Sequence, residues 1–353
     1  MSGASLAAAF ASNPVHVLVT GAAGFIGGYL VEELLEAGHQ VTGVDNFSKY
    51  GPVRHSFDDH PRFRLVVGDV KEPDVLREAG AGCSIIVAGA AMIGGISYFH
   101  EFSYDLLAEN ERILAATFDA ALQAHRDASL ERIVVISSSM VYETTTTFPT
   151  PEGAELTSPP PRSTYGFQKL AGEYFARGAW EQYRLPYTIV RPFNCVGIGE
   201  RRALGGRRTP AGNFDLALSH VVPDLVLKTL QGQDPLHLLG SGSQIRHFTY
   251  GGDLARGIRL AMESPQAINE DFNLSTDQST TVLELAERIW RKINGERPFA
   301  WISDPPYEYD VQMRVPDIRK AEAVLGFRAD TPLDAVLDEV IGWIRQELEE
   351  GRI

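Results

Sequence analysis

Short apolar runs recur along the first half of the chain, most of them followed by an interval long enough for a helix. His16–Thr20 is a strand-length run broken at Gly21, and residues 24–37 then place Phe25, Tyr29, Leu30 and Leu34 at helical intervals. Further strand-length runs lie at 40–45, ending in Asp45, at 63–67, leading into Gly68 and Asp69, and at Ser84–Val87. A long helical segment covers about 103–125. The most hydrophobic run, Ile133–Ile136, leads into Ser137-Ser138-Ser139, and another lies at 187–191. Uninterrupted Val/Ile strands alternating with helices predict an α/β fold, a doubly wound parallel sheet covered on both faces.

Beyond 192 the pattern changes. Loops rich in Gly, Pro and Arg occupy 197–213, proline-containing segments occupy 305–316, and helices are expected near 281–293 and 333–349. Residues 14–192 are expected to form the sheet domain and 193–353 a smaller C-terminal one. The segment 245–265, a strand leading into a helix, is expected to return to the first sheet.

Composition narrows the partners. With 32 Lys+Arg against 46 Asp+Glu, the formal charge is −14, which disfavours phosphate backbones and anionic membranes. Only Arg201, Arg202, Arg207 and Arg208 cluster, either as a lid over a ligand or as a solvated loop. Neither nucleic acid nor membrane is an expected partner, and no apolar run approaches the roughly 20 residues of a bilayer span. Two cysteines, Cys83 and Cys195, suit a reducing compartment. Met1–Asn13 lacks the positive start of a secretion signal and reads as a flexible leader, so a cytoplasmic location is expected. The histidines His16, His100, His220, His237 and His247 show no ligand spacing, and no metal is expected.

Candidate chemistry begins at Thr20-Gly21-Ala22-Ala23-Gly24-Phe25-Ile26-Gly27, where the first strand becomes the first helix. Glycines there let the backbone approach a dinucleotide pyrophosphate, which the helix N-terminus favours. A glycine pattern alone also describes an empty tight turn; the strand before it, the helix after it and Asp45 at the next strand's end favour the ligand. Asp45 should accept hydrogen bonds from the adenosine ribose and repel a 2′-phosphate, which points to NAD, although Lys49 and Arg54 nearby keep NADP open.

Tyr165 and Lys169 stand one turn apart on one helix face. A free phenol has a pKa of about 10, so a base near pH 7 needs about 4 kcal/mol of phenolate stabilisation, which a neighbouring ammonium and the positive nicotinamide can provide. Ser138, past the end of the most hydrophobic strand, could hold the hydroxyl that Tyr165 deprotonates. Alone, the Tyr-x-x-x-Lys pair would suit an exposed salt-bridging face equally well.

Taken together, Thr20–Gly27, Asp45, Gly68-Asp69, Ser137–Tyr142, Tyr165 with Lys169, and Arg191-Pro192-Phe193-Asn194 resemble the extended short-chain dehydrogenase/reductase family, in particular its nucleotide-sugar epimerases and dehydratases. The resemblance runs from about residue 15 to the C-terminus. It implies a Rossmann-type sheet domain, a smaller domain for a nucleoside-diphosphate sugar, and chemistry that starts by oxidising a sugar hydroxyl. The implied NAD contacts are Gly21, Gly24, Phe25, Ile26, Gly27, Asp45, Asn46, Asp69, Val70, Tyr165 and Lys169. The implied catalytic residues are Tyr165, Lys169 and Ser138, and the implied substrate contacts are Ser138, Ser139, Met140, Asn194, Arg246 and Arg314. Members commonly dimerise through helices equivalent to 103–125 and 163–184, so a homodimer is expected.

The reaction is read from what is missing. Dehydratases of the family carry an Asp-Glu pair where this chain has Ser139 and Met140, and decarboxylases carry a glutamate at the place of Met140. A 4-epimerase needs only Tyr165, Ser138 and room for the ketone to turn over, so epimerisation at C4 is the first expectation. The alternatives are a dehydratase or decarboxylase and a 3,5-epimerase. The last is suggested by Met92-Ile93-Gly94-Gly95-Ile96 and the segment 200–213, although that branch uses a cysteine where Met140 stands. A non-catalytic NAD sensor is the remaining class, against which intact Ser138, Tyr165 and Lys169 speak. Two departures concern the pocket wall: Cys195-Val196-Gly197-Ile198 replaces the family's Val-Tyr-Gly-Pro, and Glu143 replaces a glycine.

Overall fold

The computed structural model describes residues 14–93, 102–199, 220–306 and 310–351. The leader, Gly94-Gly95-Ile96, His100, and the arginine-rich segment with Arg201, Arg202, Arg207 and Arg208 lie outside the described residues.

The apolar runs become strands in the order they were read. The chain passes through β1 (His16–Thr20), α1 (Phe25–Glu36), β2 (Gln40–Asp45), β3 (Phe63–Val67), α2 (Pro73–Ala79) and β4 (Ile85–Ala88). It continues through α3 (Ser103–Arg126), β5 (Arg132–Ile136), α4 (Thr164–Tyr183) and β6 (Tyr187–Pro192). After β7 (Cys195–Val196) come α5 (Val221–Leu230), β8 (Leu236–Leu239), β9 (Ile245–Arg246), β10 (Thr249–Tyr250) and α6 (Gly251–Glu263). The last described elements are β11 (Glu270–Leu274), β12 (Thr280–Thr281), α7 (Val282–Asn294), β13 (Trp301–Asp304), α8 (Arg319–Leu325) and α9 (Leu333–Glu349).

Seven strands form one parallel sheet in the order β11-β6-β5-β4-β1-β2-β3. Both faces are covered, as the strand composition requires: Val17 and Val19 of β1 pack with Leu30, Leu34, Leu254 and Ile258. Between them, Leu18 turns to the other face with Phe118, Val135 and Ala176, following the two-residue period of a strand. A separate core holds the C-terminal elements together around Leu225, Leu236, Leu285, Ile289, Leu337 and Ile344.

The segment 245–265 differs from its expectation. Its strands do not join the large sheet, because β9 pairs with β12 and β10 with β7. Its helix α6 does return, packing Leu254 and Ile258 on α1, and the strand that enters the sheet is β11, which periodicity did not reveal. Three of the five β11 residues are acidic or amide, yet Asp271 pairs with Arg191 and Asn273 bonds Tyr142 and the Thr150 carbonyl. Buried polar partners replace the apolar run that marks the other strands.

Candidate active site

Every residue expected at the site lines one cavity of about 870 Å³ along the C-terminal edge of the sheet, where parallel α/β sheets keep their ligand crevice. At one end, β1 turns through Gly21, whose φ of +74° favours glycine. A Cβ on Gly21 would lie 2.9 Å from the Ala90 Cα, and one on Gly27 would lie 2.0 Å from the Gly21 carbonyl oxygen. The turn is therefore closed to side chains. No side chain caps the first turn of α1, which starts after Gly24, so its N–H groups face the cavity edge with the positive end of the helix dipole. This cradle fits the pyrophosphate of the expected NAD.

Asp45 ends β2 and accepts hydrogen bonds from the N–H of Ala23 at 3.0 Å and of Phe47 at 2.8 Å. Burial raises its carboxyl above the ordinary carboxylate value, while those two N–H groups favour the ionised form. The side chain is thus fixed beside the cradle, where a ribose would lie. Asp69 accepts from Asn46 Nδ2 at 3.3 Å and from the Lys71 N–H at 2.9 Å, and Val70 is buried beside it.

The second group is built by β5 and α4. Past β5, Ser138 caps a 3₁₀ turn over Ser139–Tyr142, its hydroxyl accepting from the Met140 N–H at 3.2 Å, and it hydrogen-bonds Tyr165. Ser163 caps α4 by accepting from the Gly166 N–H at 3.0 Å, a cap chemistry common at helix starts. Ser163 is held in turn by Glu143, whose Oε2 accepts from its N–H at 2.9 Å and its hydroxyl at 3.1 Å. Tyr165 is buried against Leu106 and Met140. Burial raises its phenol above 10, opposed by the Ser138 hydrogen bond and the charge of Arg314. Lys169 Nζ donates to the Ile136 carbonyl at 3.0 Å and stands 5.9 Å from the Tyr165 ring centroid. Burial pulls its ammonium down to about 8.

The third group is cationic. Arg246 Nη2 donates to Asp310 at 3.3 Å, and burial, then the charge of Arg314, pull its guanidinium down to about 9, still cationic at neutral pH. Arg314 Nη1 donates to Asn194 Oδ1 at 3.4 Å, and burial lowers this guanidinium too. Its Nε is buried without a hydrogen-bond partner among the described residues. Arg246 pairs with Asp310, which also accepts from Gln244 at 2.8 Å, while Arg314 feels the charges of Asp310 and Glu143 without an ion pair to either among the described residues, an arrangement that suits an anionic ligand such as a diphosphate. Arg314 also stands within the electrostatic reach of Tyr165, so it bridges the cationic end and the reaction end.

Sequence reasoning did not single out Asp310, or Glu173 one turn beyond Lys169 on α4. Asp310 lies in an irregular proline-containing stretch without periodicity. Glu173 carried a usable signal, since it continues the spacing Tyr165, Lys169, Glu173 along one helix face.

Comparisons with known proteins bear on the family and the fold. Residues 17–275 match the model of the NAD dependent epimerase/dehydratase family. An uncharacterised UDP-glucose epimerase of Bacillus subtilis is 30% identical over 338 residues, covering 92% of this chain and 97% of that protein. UDP-glucuronic acid decarboxylase 1 of Danio rerio is 29% identical over 338 residues, covering 95% of this chain and 73% of that protein. The crystal structure of a UDP-glucose 4-epimerase from Thermotoga maritima with UDP-glucose superposes with a TM-score of 0.76 at 25% identity, covering 94% of this chain and 99% of that one.

Proposed function

The chain belongs to the NAD dependent epimerase/dehydratase family, whose members act on nucleotide sugars with NAD, and from that premise we propose that it epimerises a nucleoside-diphosphate sugar at C4 through a transient 4-ketone. The observation that carries this reading is Met140. It lies buried against Tyr165 and Leu106, an apolar thioether where elimination or decarboxylation would need an acid or base. The chemistry left to the site is the removal and return of one proton and one hydride at one carbon.

In this reading NAD, held by the Gly21–Gly27 cradle and Asp45, supplies the hydride acceptor and donor. Tyr165 as phenolate takes the C4 hydroxyl proton and returns it after the ketone has turned over. Ser138 orients that hydroxyl, and Lys169 supports the phenolate and holds the nicotinamide ribose. Arg246, Arg314 and Asn194 hold the diphosphate, which leaves the sugar free to rotate about its anomeric linkage. The chain works as a homodimer through α3 and α4, in the cytoplasm.

A second reading is favoured by one observation. A 3₁₀ turn brings residues three apart onto one face, so Glu143 follows Met140 along that face, and Glu143 also lines the cavity. With Glu143 as the acid, the reaction would be dehydration or decarboxylation, the latter as named for the Danio rerio relative. A panel of UDP-, GDP- and dTDP-sugars followed by proton NMR in deuterated water separates the two. C4 inversion without deuterium uptake, lost in Tyr165→Phe, supports the proposal. Release of water or CO₂, abolished in Glu143→Gln, replaces it with the second reading, in which C5 takes up one deuterium from solvent, and deuterium at C3 or C5 with neither water nor CO₂ lost excludes both.

A further inference from the structure

Behind the reactive side chains, the end of β5 and the helix α4 are joined by three successive contacts. The Ile136 carbonyl accepts from Lys169 Nζ at 3.0 Å, Ser137 Oγ donates to Glu173 Oε1 at 2.7 Å, and Ser138 hydrogen-bonds Tyr165. Three consecutive residues of one segment thus meet three side chains spaced by four on one helix face. Two of these contacts involve groups that must remain available to ligands. The third, Ser137 to Glu173, runs from the cavity wall into the interior: Ser137 lines the cavity and is buried, and Glu173 is buried completely.

Glu173 is in turn clamped by Arg191, also fully buried, whose Nε donates to Oε1 and Nη2 to Oε2, both at 2.7 Å. This is the bidentate fork that fixes both partners. The remaining Arg191 donors reach Tyr142 Oη at 2.6 Å, Glu155 at 2.9 Å and Asp271 at 2.7 Å. Of these partners, Tyr142 closes the 3₁₀ turn bearing Ser139 and Met140, and Arg191 itself lies three residues before Asn194. Arg177 adds a second cation on Glu173 and Glu155, and Lys320 one on Asp271. Three carboxylates therefore face three cations. Glu173 is committed to Arg191 and Arg177, leaving Lys169, one turn away, on the Ile136 carbonyl.

We propose that Glu173, clamped by Arg191, is a positioning residue that acts through Ser137 to set the register of Ser138 against Tyr165 and Lys169. The inference rests on the reading that those three residues carry the chemistry. A hydroxyl bonded to an immobilised carboxylate cannot slide along the helix, so its neighbours on either side, the Ile136 carbonyl and Ser138, are held at fixed height beside Lys169 and Tyr165.

The test uses the NAD-bound full chain. Ser137→Ala removes the contact while leaving Glu173 with both arginines, so the fold is kept. Its kcat should fall by about 10- to 100-fold, the loss expected from a misplacement of about 1 Å, with KM within about twofold of wild type. Glu173→Ala should lose at least as much, and the double variant no more than Glu173→Ala alone, because Ser137 acts through Glu173. A second measurement needs no substrate. The tyrosinate absorbance near 295 nm that is present in wild type and absent in Tyr165→Phe should titrate at higher pH in Ser137→Ala, as Tyr165 loses alignment with Ser138, Lys169 and Arg314 inside its wall of Leu106 and Met140. A wild-type kcat in Ser137→Ala, a loss confined to KM, additive losses in the double variant, or an unmoved Tyr165 titration would each overturn the proposal. If no sugar is turned over by wild type, the proposed reaction fails, and the titration still decides the role of Glu173.

Discussion

Replacing Lys169 by Met should lower activity and raise stability at once. Nζ stands 5.9 Å from the Tyr165 ring centroid, and unit charges at that separation interact by about 3 kcal/mol at an effective dielectric of about 20, or about two pK units. The Tyr165 phenolate loses that support in the variant. In the proposed mechanism the deprotonated phenol takes the sugar proton, so the acid limb of the kcat/KM profile should move up by about two units, which is about a hundredfold loss at a pH on that limb. Stability moves the other way. Burial holds the folded Lys169 at about 8 against an ordinary 10.5, so between those values the unfolded chain binds more protons than the folded one. The cost of keeping this ammonium buried, up to about 3 kcal/mol, is fully present below pH 8 and is relieved as pH rises from 8 towards 10.5. Cofactor-free Lys169→Met should therefore resist urea better than wild type at pH 7, with the gap closing across that window. An unmoved acid limb would refute the electrostatic role, and a variant less stable than wild type at pH 7 would refute the burial argument.

Gly27→Ala places a Cβ 2.0 Å from the Gly21 carbonyl oxygen, so the turn must open and NAD retention, read from the absorbance of bound cofactor after gel filtration, should be lost. Arg246→Ala removes one of two guanidiniums from the cationic end and should weaken UDP, GDP or dTDP binding about 10- to 100-fold by calorimetry; unchanged affinity would place the diphosphate elsewhere. Asp45→Asn keeps an acceptor for Ala23 and Phe47 but removes the charge beside the ribose, so the preference for NAD over NADP should narrow in cofactor titrations.

What could be read in the sequence follows from how each part is stabilised. Strands β1, β2 and β4 to β6 and the glycine cradle were legible because both sheet faces are covered there and the strands are then largely apolar, while the edge strand β3, with no buried residue, was legible from its short apolar run alone. Strand β11 was not, because Asp271 and Asn273 reach the interior by pairing with residues far away in sequence, including Arg191 and Tyr142. No local period reports such a pairing. The same holds for Glu155 and Glu173, which look like solvent-facing helix acids until Arg191 is placed between them. The spacing of Tyr165 and Lys169 survives because one helix turn fixes it, whereas Asp310 depends on where an irregular segment passes Arg246.

The −14 formal charge and a site for two anionic ligands are reconciled by distance and burial. At physiological salt the field of surface carboxylates decays over about 8 Å, so an approaching diphosphate is governed at the last step by what lies inside the cavity. There the chain concentrates Lys169, Arg246 and Arg314, each with burial as the first cause lowering its pKa. Cations in that state are destabilised relative to water and gain most from an arriving anion. Asp310 compensates only part of this charge, and Arg314 Nε has hydrogen-bonding capacity to spare among the described residues. Affinity then comes from completing an electrostatic arrangement that is already in place, which requires no basic surface, and the buried Glu173–Arg191 clamp keeps the reactive groups aligned while that charge is neutralised.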